Sequence, residues 1–219
     1  MKFTIVHPSR SRCERAREAA HRCIDRFNVD GGDTIEYILS LDNDDYYVSC
    51  YQEWADEYGI HLIVNSNRSL VDACNNAALI STGDCIIVLS DDFETPENWN
   101  TLLKEKIGKN DFYGILINDG ISGATGDIMS LPIISRKLYL KLGYLYHPDF
   151  FSLFADNALL DVCKKLDCLI DARDLLFKHH HYTVGLSQKD ATYSRENSLS
   201  AYNMGVKAYE ALKARNYDL

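Results

Sequence analysis

The chain has 219 residues, 46% of them apolar and 25% charged, with 14 tyrosines and only four prolines. That is enough chain for one sizeable core and gives no reason for a second, so residues 1–219 are read as a single domain. A net charge of −9 excludes a binder of nucleic acid or anionic membrane surfaces, which needs a basic field.

The start, Met1 to His7, has no charged leader followed by a long apolar run, and no later stretch approaches membrane length. A soluble, cytoplasmic protein is expected. Seven cysteines, an odd number without a C-x-x-C pair, disfavour a disulfide framework or a zinc knuckle, and most are expected to be reduced thiols on core faces.

Phe3 to Val6 reads as a strand, followed by a helix whose face is Ala16, Ala19, Ala20, Cys23, Ile24 and Phe27. After Gly31-Gly32, Tyr37 to Leu41 makes a second strand, and Tyr47, Cys50, Tyr51, Trp54 and Tyr58 repeat the helical spacing. His61 to Val64 and the helix face of Leu70, Ala73, Cys74, Ala77 and Ile80 come next, and then the apolar run Ile86 to Leu89. Strands alternating with crossover helices predict a mostly parallel sheet, and residues 1–100 are read as a nucleotide-binding half.

Residues 101–193 are mixed: strands at Phe112 to Ile117 and Ile128 to Ile134, with Gly120, Gly123 and Gly126 between them as a mobile loop. A helix at Lys137 to Leu142, an aromatic loop from Tyr144 to Phe151, a helix from Ala155 to Leu166 and a strand from Leu169 to Phe177 follow. Residues 194–219 are expected to form a terminal helix.

Chemistry concentrates where the strands stop. The first ends in His7-Pro8-Ser9-Arg10, the second in Asp42-Asn43-Asp44-Asp45, and the fourth in Ser90-Asp91-Asp92. Each alone is an ordinary polar loop, but parallel strands open all three on the sheet edge that carries ligands in such folds. Arg10 can meet a phosphate, and an Asp after the second strand can accept from a nucleobase or ribose. Two adjacent carboxylates repel each other, and a hard divalent cation relieves that repulsion.

The order strand-Pro-Ser-Arg, strand-Asp, an Asn-bearing helix and strand-Ser-Asp-Asp-x-x-x-Pro-x-x-Trp resembles the GT-A glycosyltransferases, especially those of family 2. Ile134-Ser135-Arg136, Phe154-Ala155-Asp156-Asn157, His179-His180-His181 and Asp190-Ala191-Thr192-Tyr193 continue the resemblance to about residue 193. It implies an α/β fold of GT-A type, with a mostly parallel sheet flanked by helices and a mixed C-terminal half. It also implies inverting, metal-dependent transfer of a sugar from a nucleoside diphosphate donor, UDP-linked, to an acceptor hydroxyl.

On that resemblance Pro8, Ser9 and Arg10 line the nucleotide pocket, Asp42 faces the base, and Asp91 sits near the ribose or metal. Asp92 ligates Mn²⁺ or Mg²⁺, with His181, or less favourably His179, as the distal ligand; an imidazole favours Mn²⁺. Asp156 becomes the general base, and the aromatic loop offers rings to a sugar. Two departures stand out. Ser90 replaces the first acid of an Asp-x-Asp motif, and Cys74 stands beside Asn75 where relatives carry Arg-Asn, leaving Arg68 to supply the phosphate contact. A nucleotidyltransferase is disfavoured because no Gly-rich, Arg-containing loop follows the first strand; a catalytically silent nucleotide-sugar binder or scaffold is the other alternative.

Overall fold

The computed structural model describes residues 1–121, 125, 128–186 and 189–219. The first hundred residues alternate as the periodicity predicts: β1 (Lys2–Ser9), α1 (Cys13–Asp25), β2 (Thr34–Asp42), α2 (Val48–Glu57), β3 (His61–Asn65), α3 (Leu70–Ile80) and β4 (Cys85–Val88). There follow β5 (Phe93–Glu94), α4 (Trp99–Ile107), β6 (Gly114–Asn118), β7 (Ile133–Ser135), α5 (Arg136–Leu142) and α6 (Ala155–Lys165). The chain continues through β8 (Leu169–Leu176), β9 (Lys178–His179), α7 (Ala191–Glu196) and α8 (Leu199–Ala214).

Seven strands form one sheet in the order β3-β2-β1-β4-β7-β6-β8. β1 pairs in parallel with β2 and β4, β2 with β3, and β6 with β8, whereas β7 is antiparallel to both β4 and β6. Strand residues alternate between two cores. Ile5, Leu39, Ile87 and Leu89 face the cluster that includes residues of α1, α2 and α4; Val6, Ile38, Ile86 and Val88 face the one that includes residues of α3, α5, α6 and α8. Burial on both faces is why these strands read as continuous apolar runs.

Four expectations are corrected. The expected strand Ile128 to Ile134 shrinks to Ile133–Ser135, because Pro132 cannot donate to a ladder and Ser130 turns aside to donate to Asp119 at 2.7 Å. Of the glycines expected between the two strands, Gly123 and Gly126 lie outside the described residues. The helix α4 was not foreseen: its face of Trp99, Leu103 and Ile107 is broken by Asn100, a fully buried amide that exchanges hydrogen bonds with the Asn28 backbone and donates to Asp33. The tail is two helices rather than one, because Ser198 caps α8 by accepting from the Ala201 amide.

The fourth correction concerns the thiols. Cys13, the first residue of α1, is disulfide-bonded to Cys50 of α2 across 37 residues, while the other five cysteines are free and buried. Packing of the two helices brings the pair together, and no local motif announces it. A closed loop of this length restricts the unfolded chain by about 4 kcal/mol in the chain-entropy account. The bridge ties the end of the turn that follows β1 to the start of α2. Among the described residues no helix is long and apolar enough to cross a membrane.

Candidate functional site

The loops after β1, β2 and β4 open on one edge of the sheet, around a cleft of about 260 Å³. Its walls include Pro8, Ser9, Arg10, Asp42, Asp91, Asp92, Asp156, His179 and His181, so nine of the residues singled out in the sequence come together.

The anchor of this edge is His7, fully buried in β1. Its ring lies between the Tyr37 hydroxyl at 2.6 Å and Asp91 Oδ1 at 3.0 Å. The other Asp91 oxygen faces Arg12 at 3.5 Å. Asp91 is therefore held rigidly inside the wall, and the more open carboxylate is its neighbour. Ser90 takes a supporting part: its hydroxyl donates to Asp92 Oδ1 at 2.8 Å and fixes the carboxylate plane.

A second, two-stranded sheet delivers the histidines. β5 pairs antiparallel with β9 so that Phe93 lies opposite His179, and the two rings stack with centroids 4.2 Å apart. The His180 amide donates to the Asp92 carbonyl, and the His179 amide to the Asp119 carbonyl. His179 Nε2 then stands 3.3 Å from Asp92 Oδ2, with Nδ1 3.9 Å from Asp119 Oδ2.

Burial alone would lower the His179 pKa, but Asp119 and Asp92 outweigh it and raise it to about 9. Burial would raise Asp92, yet His179, Ser90 and Arg12 together hold its carboxyl far below the usual range. The middle histidine is directed elsewhere, since His180 Nε2 meets Glu94 at 2.7 Å. His181 packs 4.8 Å from the His179 ring and uses Nδ1 toward the Thr183 hydroxyl; burial and then the His179 charge lower its pKa.

Asp92 and His179 bring a carboxylate and an imidazole together, donor types that suit a divalent cation; the His181 ring lies close to His179 on the same cleft, and Asp119 stands behind His179 as carboxylates do behind metal-binding histidines. Without a metal, the proton that the raised pKa keeps on His179 lies in its place beside Asp92, and metal binding displaces such protons.

The nucleotide end is built from β1 and β2. Asp42 accepts from Asn67 at 3.0 Å and from Arg10 at 2.6 Å, and Arg10 also pairs with Asp44. Arg10 is thus committed to carboxylates rather than standing free for a phosphate. Ser9 is held by the Tyr51 hydroxyl at 2.9 Å.

Asp156 lies in the first turn of α6. The residue at the cap is Phe154, in the left-handed region with φ 72°, so Asp156 is not the helix cap and its side chain faces the cleft. Its Oδ1 accepts from the Asn157 amide at 2.9 Å; burial nevertheless dominates and pushes its carboxyl up to about 6.

Two expected contacts lie elsewhere. Arg68 is 78% exposed and forks onto Asp72, one helical turn on, so it is absent from the cleft wall and does not replace the missing arginine. Asn75 is spent on structure: it accepts from the Leu145 and Tyr146 amides and donates to the Tyr146 carbonyl. It thereby sets Tyr146 in the cleft wall, whereas Tyr144, His147 and Phe150 pack on one another.

Sequence reasoning missed Arg12, Asp119, Arg195 and Glu196. Arg12 forks onto Asp190 with two contacts of 2.7 Å, so the polar run after β1 was read two residues short. Asp119 carried the same signal as Asp42 and Asp91, an acid directly after an apolar strand.

Helix α8 closes the site from behind. A Cβ on Gly205 would stand 2.6 Å from the Leu153 carbonyl oxygen and 2.8 Å from the Phe154 ring, just before Asp156. Gly205→Ala, which improves helix propensity, is therefore expected to destabilise the protein by about 1–3 kcal/mol, measured by urea unfolding. A gain in stability would contradict this packing.

A seven-strand, mostly parallel sheet with acidic strand ends and a histidine-bearing second sheet defines the GT-A class of fold. The family model of glycosyl transferase family 2 matches residues 4–154, and the chain belongs to that family. No curated protein sequence matches it.

Among solved structures it is similar to residues 1–349 of TarS from S. aureus, with TM-score 0.65 and 11% identity over 82% of this chain and 60% of that one. It is also similar to the mannosyltransferase PcManGT of Pyrobaculum calidifontis, solved with GDP-Man and Mn²⁺: TM-score 0.63 and 13% identity, covering 98% of this chain and 75% of that one. A third is the glucosyl-3-phosphoglycerate synthase of Mycobacterium tuberculosis, solved with Mn²⁺, UDP and phosphoglyceric acid, at TM-score 0.64 and 11% identity over 95% and 78%. At such identities the likeness concerns the fold. The chain spans 60% of the TarS fragment's length.

Proposed function

We propose that this protein is a metal-dependent, inverting glycosyltransferase that moves a sugar from a nucleoside diphosphate donor, UDP-linked, to an acceptor hydroxyl. The observation that carries the reading is the convergence on one cleft of Asp92 with His179, held by the β5–β9 pairing, and of Asp156 on α6. Membership of the family and the Mn²⁺ and nucleotide sugars held by its structural neighbours support it.

Asp42, with Pro8 and Ser9, receives the nucleoside. Asp92 and His179 hold Mn²⁺ or Mg²⁺, with His181 beside them; the two imidazoles favour Mn²⁺. A bound divalent cation supplies positive charge to the departing diphosphate. His179 is preferred over His181 because it faces Asp92 directly and is backed by Asp119.

Asp156 takes the proton of the acceptor hydroxyl as that oxygen attacks the anomeric carbon. The bond from that carbon to the diphosphate breaks on the opposite face, which inverts the centre. With its carboxyl at about 6, Asp156 is ionised at neutral pH and still basic enough for this step. A purely binding role leaves unexplained an acid kept destabilised at the cleft wall.

A thermal-shift screen of UDP, GDP, CDP and dTDP sugars with and without Mn²⁺ tests the reading. Stabilisation by UDP sugars that requires Mn²⁺ is expected, since a ligand bound to the folded state raises its stability by mass action. No shift with any donor would contradict it.

A further inference from the structure

The cleft has an uneven distribution of charge. Among the described residues that line it, the arginines are Arg10, Arg12 and Arg195, and there is no lysine. All three are bound to carboxylates: Arg10 to Asp42, Arg12 to Asp190 and Asp91, and Arg195 to Glu196 while standing 4.0 Å from Asp42. The wall that carries Asp156 is of a different kind, made by Leu70, Tyr146, Ser152 and Leu153. Its described residues offer apolar surface and hydroxyl groups and no cation.

Glu196 adds an independent observation. It is 9% exposed and lines the same cleft. Its Oε1 accepts from Arg195 at 2.6 and 2.8 Å, whereas the buried Oε2 has no hydrogen-bond partner. A carboxylate oxygen cut off from water and left unpaired is costly, and a hydroxyl delivered by a ligand removes that cost. The helix α7 that carries it is fastened at its start, where Asp190 forks onto Arg12 and the Thr192 hydroxyl donates to the Arg10 carbonyl at 3.0 Å.

We infer that the acceptor is a neutral saccharide, with one hydroxyl bound by Glu196 and its apolar face against Tyr146 and Leu153. This rests on the proposed transferase activity. A phosphorylated or carboxylated acceptor meets Asp156, and among the described residues that line the cleft every arginine is already paired with a carboxylate, so none is free to balance the added charge. Glu196 is thus a specificity residue: it discriminates because its oxygen stays unpaired when the matching hydroxyl is missing.

The test begins with Mn²⁺-dependent release of UDP from a UDP sugar without acceptor. Its absence would overturn the transferase reading and this inference with it. Methyl glycosides of glucose, galactose and N-acetylglucosamine are then compared with their 6-phosphates, each read as transfer or as suppression of UDP release by occupancy of the site.

The neutral glycosides are expected to act at concentrations at least tenfold lower than their phosphates. Glu196→Gln should raise the neutral acceptor KM about tenfold, and Leu153→Lys, which places a cation on the same wall, should narrow the gap between neutral and phosphorylated sugars. Preference of the wild type for the phosphates overturns the inference while leaving the transferase reading intact. So does an unchanged acceptor KM in Glu196→Gln, or a rise confined to the donor KM.

Discussion

Asp92→Ala is expected to abolish Mn²⁺-dependent UDP binding and to reduce release of UDP from UDP sugars at least a hundredfold. Asp92 is the one carboxylate at the end of β4 that is held in place yet turned to the cleft; Asp91 is consumed by His7 and Arg12. Losing it removes an oxygen ligand and leaves His179 with Asp119 alone. Calorimetric titration with UDP and Mn²⁺ checks the binding, and affinity unchanged from wild type would remove Asp92 from the metal site.

The same pair governs stability without metal. His179 is raised to about 9, so its contribution is complete below its unfolded value near 6.5 and is lost as pH rises through 9. Asp92 is depressed, so its contribution is present above the usual carboxylate range and is lost as pH falls below it. In EDTA the wild type should therefore be more stable than Asp92→Ala between about pH 4.5 and 8, by about 2–3 kcal/mol. The difference should shrink toward pH 10, and guanidinium unfolding at three pH values reads it.

Asp156→Asn is expected to leave UDP binding within a few-fold of wild type and to reduce transfer by a factor of about 10³–10⁴. In the wild type the rate should rise with pH through about 6, as the carboxyl ionises. Stability should move the other way. A carboxyl whose folded pKa lies above its unfolded value favours the folded state fully below about 4, and that advantage is lost as pH rises through 6. Asparagine carries no such penalty, so at pH 8 the variant should be more stable by about 1–3 kcal/mol, seen as a melting temperature several degrees higher. Transfer at the wild-type rate would remove Asp156 as the base; a variant less stable than wild type at pH 8 would contradict the burial that raises its pKa.

The nucleotide half was legible because it follows local rules. Helix faces at three- and four-residue spacing and strands buried on both sides leave a periodic trace, and the strand ends then place Pro8, Asp42 and Asp91-Asp92 on one edge without further information. What escaped depends on contacts distant in sequence. The pairing of Phe93 with His179 joins residues 86 apart and helps bring His179 rather than His181 to Asp92. The Cys13–Cys50 bridge depends on how two helices pack, and α4 was hidden by the buried amide of Asn100.

Arg68 and Asn75 show the opposite failure. Both side chains are chemically suited to a phosphate, but one is spent on its helical neighbour Asp72 and the other on the backbone at Leu145 and Tyr146. Residue type and order point to a site, and only the partners each side chain already has decide whether it is free to act there.

The proposed activity stands or falls with a metal-dependent donor site. Calorimetric titration of the wild type with UDP, once with Mn²⁺ and once with EDTA, tests it most directly. Saturable binding with Mn²⁺ that disappears in EDTA is the predicted result; equal binding in both, or none in either, would contradict the account.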